Sequence, residues 1–194
     1  MPQATHRETR EQDTPYCTLR WLDRIDPHAG RAIVELIDAT TGDGGTLGYR
    51  QAMSAEQADA FCHGLQQAIE QGRGHALLGE NAQGAVCFAM MTRSGMPNCR
   101  HLAELTKGVV HPRDRGRGLV QQALGEIVQR ARQIGVEQLT LDVREGTRAH
   151  RLWSRLGFVS FGVLEDYARV DGVRHRGHYM AQRVEHLATH LGLN

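Results

Sequence analysis

The stretch from Val109 to Ile134 constrains the fold more than any other, because it passes from strand to helix across a glycine-rich loop. Residues 102–110 read as a strand that stops at Pro112, and Arg113-Asp114-Arg115-Gly116-Arg117-Gly118 follows. A helix is predicted from Gly116 to Ile134. There Leu119, Val120, Ala123, Leu124, Ile127, Val128, Ala131 and Ile134 recur at i, i+1, i+4 and i+5, the stripe of a helix buried on one side. Arg130 and Arg132 suit the negative end of its dipole, and Gly135 terminates it.

The rest of the chain supplies a sheet for that helix. Cys17 to Leu22 reads as a first strand. Asp26-Pro27 caps a helix whose stripe is Ala29, Ile33, Leu36 and Ile37, with Gly42 just beyond its end. Gly42 to Met53 is expected to be a loop. Ser54 and Gln57 make a capping box for a second helix, which buries Ala58, Phe61, Cys62, Leu65 and Ile69 and stops near Gly72. His75–Glu80 and Ala85–Thr92 form a hairpin across Asn81-Ala82-Gln83-Gly84. Beyond the long helix come a strand from Gln138 to Val143 and a short helix from Thr147 to Leu156. Two strands between Phe158 and Val184 follow, joined at Asp171-Gly172. Hairpins mixed with helical crossovers place the chain in the α/β class, with a mixed sheet carrying helices on its faces.

Composition narrows the function. Lys plus Arg number 23 against 22 Asp plus Glu, a formal net charge of +1, so no global charge draws the chain to nucleic acid or membrane and any basic site must be local. No apolar run approaches the ~20 residues that span a bilayer. Met1 to Thr14 is too polar for a signal peptide or anchor, so a cytoplasmic location is expected. Cys17, Cys62, Cys87 and Cys99 form no C-x-x-C pair, which fits reduced thiols rather than a disulfide framework or zinc site, with Cys62 and Cys87 as core residues. His186 and His190 are spaced i, i+4, but the Glu of a zinc helix is replaced by Leu187, and no metal is expected.

The loop points to an anion. The first N–H groups of a helix have no internal partners and carry partial positive charge, which makes that end an anion site. Gly116 and Gly118 let a phosphate approach the backbone, while Arg113, Arg115 and Arg117 add charge for a diphosphate or ribose phosphate. Gln121 stands where a dinucleotide fingerprint needs glycine, and no Gly-Lys-Ser/Thr follows, so this is neither a Rossmann loop nor a Walker loop.

This strand–loop–helix resembles the acetyl-CoA signature R/Q-x-x-G-x-G/A of GNAT N-acetyltransferases, with Arg115, Gly118 and Val120 at its three key positions. Val120 departs from the usual Gly or Ala. Ala149-x-x-Leu152-Trp153-x-x-Leu156-Gly157-Phe158 resembles the family's N-x-x-A-x-x-L-Y-x-x-x-G-F, with Gly146 in place of Asn and Trp153 in place of Tyr. The resemblance implies a GNAT domain over 17–187, between a polar N-terminal tail (1–16) and a C-terminal tail (188–194). Its fold would be a central, mostly antiparallel mixed sheet of about seven strands, with a splayed central pair and about four flanking helices. It implies acetyl-CoA as acyl donor, held by Val109, Val110, His111, Arg115, Gly116, Arg117, Gly118, Leu119, Val120 and Trp153. The acceptor implied is a primary amine that attacks directly: a small molecule, a peptide N-terminus or a lysine.

Catalysis needs a base for the ammonium proton and an acid for the thiolate. Glu104 is the candidate base, since an unbroken strand puts it on one face with Thr106, Gly108 and Val110. Trp153 cannot serve as the acid, because indole N–H only donates hydrogen bonds. Tyr167, Tyr179 or solvent are the alternatives, and His175 and His178 read as surface residues. A catalytically weak or inactive CoA-binding regulatory or interaction domain of the same fold stays open, as does a homodimer. RNA binding through Arg113–Arg117 lacks aromatic platforms, with aromatics at 5%.

Overall fold

The computed structural model describes residues 16–43 and 47–193. The expected polar tail lies outside these residues except for Tyr16, as does part of the expected loop after Gly42. The chain begins with β1 (Thr18–Leu22), α1 (Pro27–Gly42) and α2 (Ala55–Glu70). It continues through β2 (Gly74–Asn81), β3 (Gly84–Arg93), β4 (Leu102–Val110), α3 (Leu119–Gln133) and β5 (Gln138–Arg144). It ends with α4 (Arg148–Arg155), β6 (Val159–Val170), β7 (Val173–Arg183) and α5 (Val184–His190). The seven strands form one sheet in the order β1-β2-β3-β4-β5-β7-β6. Only β4 and β5 run parallel.

Local chemistry places most element ends. The Asp26 carboxylate accepts the N–H groups of His28 and Ala29 at 3.0 and 2.8 Å, and Pro27 sits where no N–H is needed. Ser54 and Gln57 close the capping box in both directions. Asp171 and Gly172 both have positive φ, 50° and 80°, as the tightest hairpin loops require.

Helices cover both faces of the sheet. α3 and α5 lie over Leu77, Met91, Ala103, Leu105, Leu139 and Leu141, and α1 and α2 lie over Ala76, Leu78, Phe88, Met90 and Val109. Ile33, Leu36 and Ile37 of α1 are at most 1% exposed, each contributing roughly 1.5–3 kcal/mol of transfer free energy. α2 is looser, and of its five expected core residues only Leu65 is fully buried.

Three expectations change. The long helix begins at Leu119 rather than Gly116, because Gly116 and Gly118 have φ of +80° and +74°, outside the helical region. A fifth helix, α5, occupies the start of the expected C-terminal tail. Leu187 and Ala188 are buried against the α3 core, with Leu191 and Leu193 packed at its margin. Two hydrogen bonds of 2.9 and 2.6 Å from Arg132 to Glu185 join α3 to it.

The third change concerns β4. Its register against β3 passes from Met90↔Thr106 to Phe88↔Val109, so Lys107 and Gly108 together oppose Ala89 in a β-bulge. Lys107 takes a left-handed φ of 55°. The extra residue switches faces: Ala103 and Leu105 belong to the α3 core and Val109 to the α1 core. Glu104 and Thr106 therefore share their face with Val109, not Val110.

Candidate active site

The parallel pair β4–β5 stays in register only from Leu102↔Gln138 to Glu104↔Thr140. Past that point the strands part, and a cavity of about 950 Å³ opens between them. Residues 105–110 have no strand on their β5 side, so main-chain N–H and C=O groups along that edge are left for a ligand to satisfy.

The cavity has two chemically distinct halves, because paired residues on neighbouring strands share a face. Leu141 and Val143 of β5 join Val120 and Leu124 of α3 and Leu152 and Trp153 of α4 in an apolar half. Asp142 and Arg144, one residue out of phase, join Thr106, Lys107, Tyr49 and Tyr167 in a polar half on the α1–α2 side.

Arg115 carries the wall into the glycine loop. Gly118 is the N-cap of α3 and offers no side-chain cap, so the first N–H groups of the helix stay open. A Cβ built on Gly116 would meet no protein atom within 4 Å. The glycines are needed there for their left-handed backbone and for open room above it. The loop is braced from below. Asp114, 3% exposed, accepts the Tyr16 hydroxyl at 2.6 Å and the Arg113 Nε–H at 3.1 Å. That bond to Asp114 pushes the Tyr16 pKa up, and burial adds to it. His111 Nδ1 accepts the Arg113 N–H at 3.2 Å. Burial, then the Arg113 charge, lower the His111 pKa, which keeps that nitrogen an acceptor at neutral pH.

Of the three arginines, Arg113 is committed to Asp114 and the Gln83 carbonyl. Arg115 pairs with Asp43 at the end of α1, and Arg117 stacks over the Tyr16 ring at 4.6 Å. Val109, Val110, Arg115, Val120 and Trp153 line the cavity. His111, Gly116, Arg117 and Gly118 form the loop beside it. Leu119 offers only its main chain, since its side chain packs with Val86 and Cys87.

Glu104 is not among the lining residues. It is exposed at the root of the splay, where β4 and β5 are still paired. The carboxylate inside the polar half is Asp142, which accepts the Tyr167 hydroxyl. Tyr167 reaches it by lying flat on Gly177 of β7, where a Cβ would come within 2.1 Å of the ring. Burial first, then the Asp142 hydrogen bond, push the Tyr167 pKa well above the usual phenol range, so the phenol stays protonated. Sequence reasoning missed Asp142 because Leu139, Leu141 and Val143 alternate around it, which marks Asp142 as the solvent side of an ordinary strand. Cys87 also reaches the cavity wall, but burial, reinforced by Cys17, pushes its pKa up to about 12, and a thiol so held is a poor nucleophile.

Trp153 meets Phe158 edge-on at 5.1 Å and is half-buried, serving both core and cavity wall. Trp153→Phe is expected to keep most of the turnover. Trp153→Ala should destabilise by less than the ~3–5 kcal/mol of a fully buried ring, measured by urea unfolding. Loss of activity in a folded, CoA-binding Trp153→Phe would contradict a packing role.

A family model described as the acetyltransferase (GNAT) family matches residues 45–158. A GNAT-superfamily phosphinothricin acetyltransferase from Sinorhizobium meliloti, solved in complex with AcCoA, is 19% identical. The match covers 87% of this chain and 89% of that one, at a TM-score of 0.69. A ribosomal-protein-alanine N-acetyltransferase from Brucella melitensis is 18% identical over 86% of this chain and 99% of that one, at 0.70. An N-acetyltransferase from Staphylococcus aureus Mu50 is 14% identical over 87% and 98%, also at 0.70. These likenesses concern the fold.

Proposed function

This chain belongs to the GNAT acetyltransferase family and is an acyltransferase, and we propose that it moves the acetyl group of acetyl-CoA to a primary amine entering the polar half of the cavity. The observation that carries this reading is the slot between β4 and β5, which runs from an uncapped, glycine-lined helix start to a half-buried polar cluster.

The residues present fit the cosubstrate. Open N–H groups at the start of α3, with Arg115 and Arg117 beside them, suit a diphosphate. The unpaired edge of β4 at Val109 and Val110 suits amide groups, and Leu152 and Trp153 suit an apolar arm. When bound, acetyl-CoA supplies an acyl thioester: the amine nitrogen bonds to its carbonyl carbon as the carbon–sulfur bond breaks and sulfur leaves as thiolate. An amine at neutral pH arrives as ammonium and must lose a proton before it can attack. In this reading Asp142, rather than Glu104, holds that ammonium and passes the proton to water. Tyr167 fixes the carboxylate while keeping its own proton. Trp153 donates none, so the thiolate is protonated from water.

Thiol release and product mass, followed with acetyl-CoA and a panel of polyamines, amino acids and peptides, test the assignment. Transfer to at least one amine is expected, at rates that depend on amine concentration. A protein that binds CoA but acetylates nothing would overturn the catalytic half, and one that binds no CoA would overturn the whole reading.

A further inference from the structure

We infer that the acceptor is itself acidic: a small primary amine carrying a carboxylate or similar oxyanion near its nitrogen, gripped by Lys107 from β4 and Arg144 from β5. This rests on the acetyl-transfer reading above and narrows its substrate class.

Both carboxylates of the cavity wall already have partners, Asp43 in Arg115 and Asp142 in Tyr167. Lys107 and Arg144 line the same wall and are half-buried. Among the described residues neither makes an ion pair or a side-chain hydrogen bond; the Lys107 ammonium meets only the face of Phe61, 5.9 Å from its centroid. A cation that has lost part of its hydration without gaining an anion is destabilising, and an anionic ligand relieves that cost.

The backbone supports the same assignment. Lys107 adopts a left-handed conformation at a non-glycine position, which is strained for a residue with a Cβ. Strain of this kind concentrates at functional sites. The bulge re-aims the side chain toward α2, into the polar half. From the opposite strand, Arg144 sits two residues after Asp142 on the same face, close enough that its charge tempers the raised Tyr167 pKa. One carboxylate for the ammonium and two cations for an oxyanion together complement a zwitterion. The same two cations repel a polyamine, so the site selects by what it excludes as well as by what it holds. They lie across the slot from the apolar half, on the side away from α3 and α4, which separates their role from the cosubstrate's.

The test compares common L-amino acids with their C-terminal amides, with spermidine as a cationic control. Transfer is followed by thiol release. Binding of the N-acetylated acid and amide of each pair to the CoA-loaded protein is followed by calorimetry, a readout that needs no turnover. The free acids should be favoured at least tenfold in kcat/KM and in affinity. Lys107→Met and Arg144→Met should each collapse that ratio toward unity by raising KM for the acids, with CoA affinity unmoved, and Lys107→Arg should restore much of it. Equal handling of acid and amide, or a preference for spermidine, by a protein that binds CoA would overturn the inference while leaving acetyl transfer standing. Variants that weaken CoA instead would also overturn it, since the cations would then belong to the cosubstrate. Absence of CoA binding in the wild type would remove the reading beneath it.

Discussion

Gly118→Asp is expected to abolish detectable binding of coenzyme A, a loss of at least a hundredfold. Gly118 holds φ at +74° immediately before α3 and caps the helix with no side chain. An Asp there would turn its carboxylate onto the open N–H groups that an incoming phosphate needs. It would also add negative charge at the proposed diphosphate site. A hundredfold corresponds to about 2.7 kcal/mol, well above the cost of the backbone alone, since Asp tolerates the left-handed region better than most residues. Gly118→Ala separates the two effects. It keeps the backbone strain without the charge and should lose far less affinity. Calorimetric titration of CoA, with thermal unfolding to confirm that each variant is folded, decides the matter. Unchanged affinity in Gly118→Asp would remove this loop from the cosubstrate site.

The second large effect is expected at Asp142. Asp142→Asn should lower kcat by roughly 10²–10⁴, the usual worth of a positioned proton acceptor, while CoA affinity stays near wild type. Asparagine keeps the hydrogen bond from Tyr167 but loses the charge that holds an ammonium. Glu104→Gln should leave kcat within about twofold, because that side chain stands outside the cavity; by the general-base magnitude above, a true base would show far more. Tyr167→Phe should fall between the two, loosening Asp142 without removing it. Since the Tyr167 pKa is raised, its phenol remains protonated through neutral and mildly basic pH. The basic limb of the pH–rate profile should therefore survive in Tyr167→Phe. Full activity in Asp142→Asn together with a collapse in Glu104→Gln would reverse the assignment.

The contrast between these two carboxylates marks where sequence reading stops. An unbroken strand would carry Glu104 into the same face as Val110. The bulge at Lys107 and Gly108 breaks that phase, and neither residue announces it: Lys is ordinary in a strand, and the glycine is equally consistent with loop approach. Asp142 and Arg144 looked like the solvent side of a half-buried strand. They become cavity residues only because β5 separates from β4 after three paired positions. α5 was missed for a related reason. Its residues carry too short a stripe to be periodic, and it is stabilised by packing Leu187 and Ala188 against α3 rather than by its own propensity.

What the sequence determined by itself was whatever local chemistry dictates. The caps at Asp26 and Ser54, the tight loop at Asp171-Gly172 and the apolar stripe of α3 each depend on residues a few positions apart. The uncapped glycine start of α3 does too, so the glycine loop could be placed from the order of residues alone. Which side chains meet across the slot depends instead on long-range packing. Lys107, Asp142, Arg144 and Tyr167 come from three strands, and their meeting depends on a register shift in one pair and the end of register in another. Pairing energies of that kind are summed between distant segments, so no window of sequence contains them.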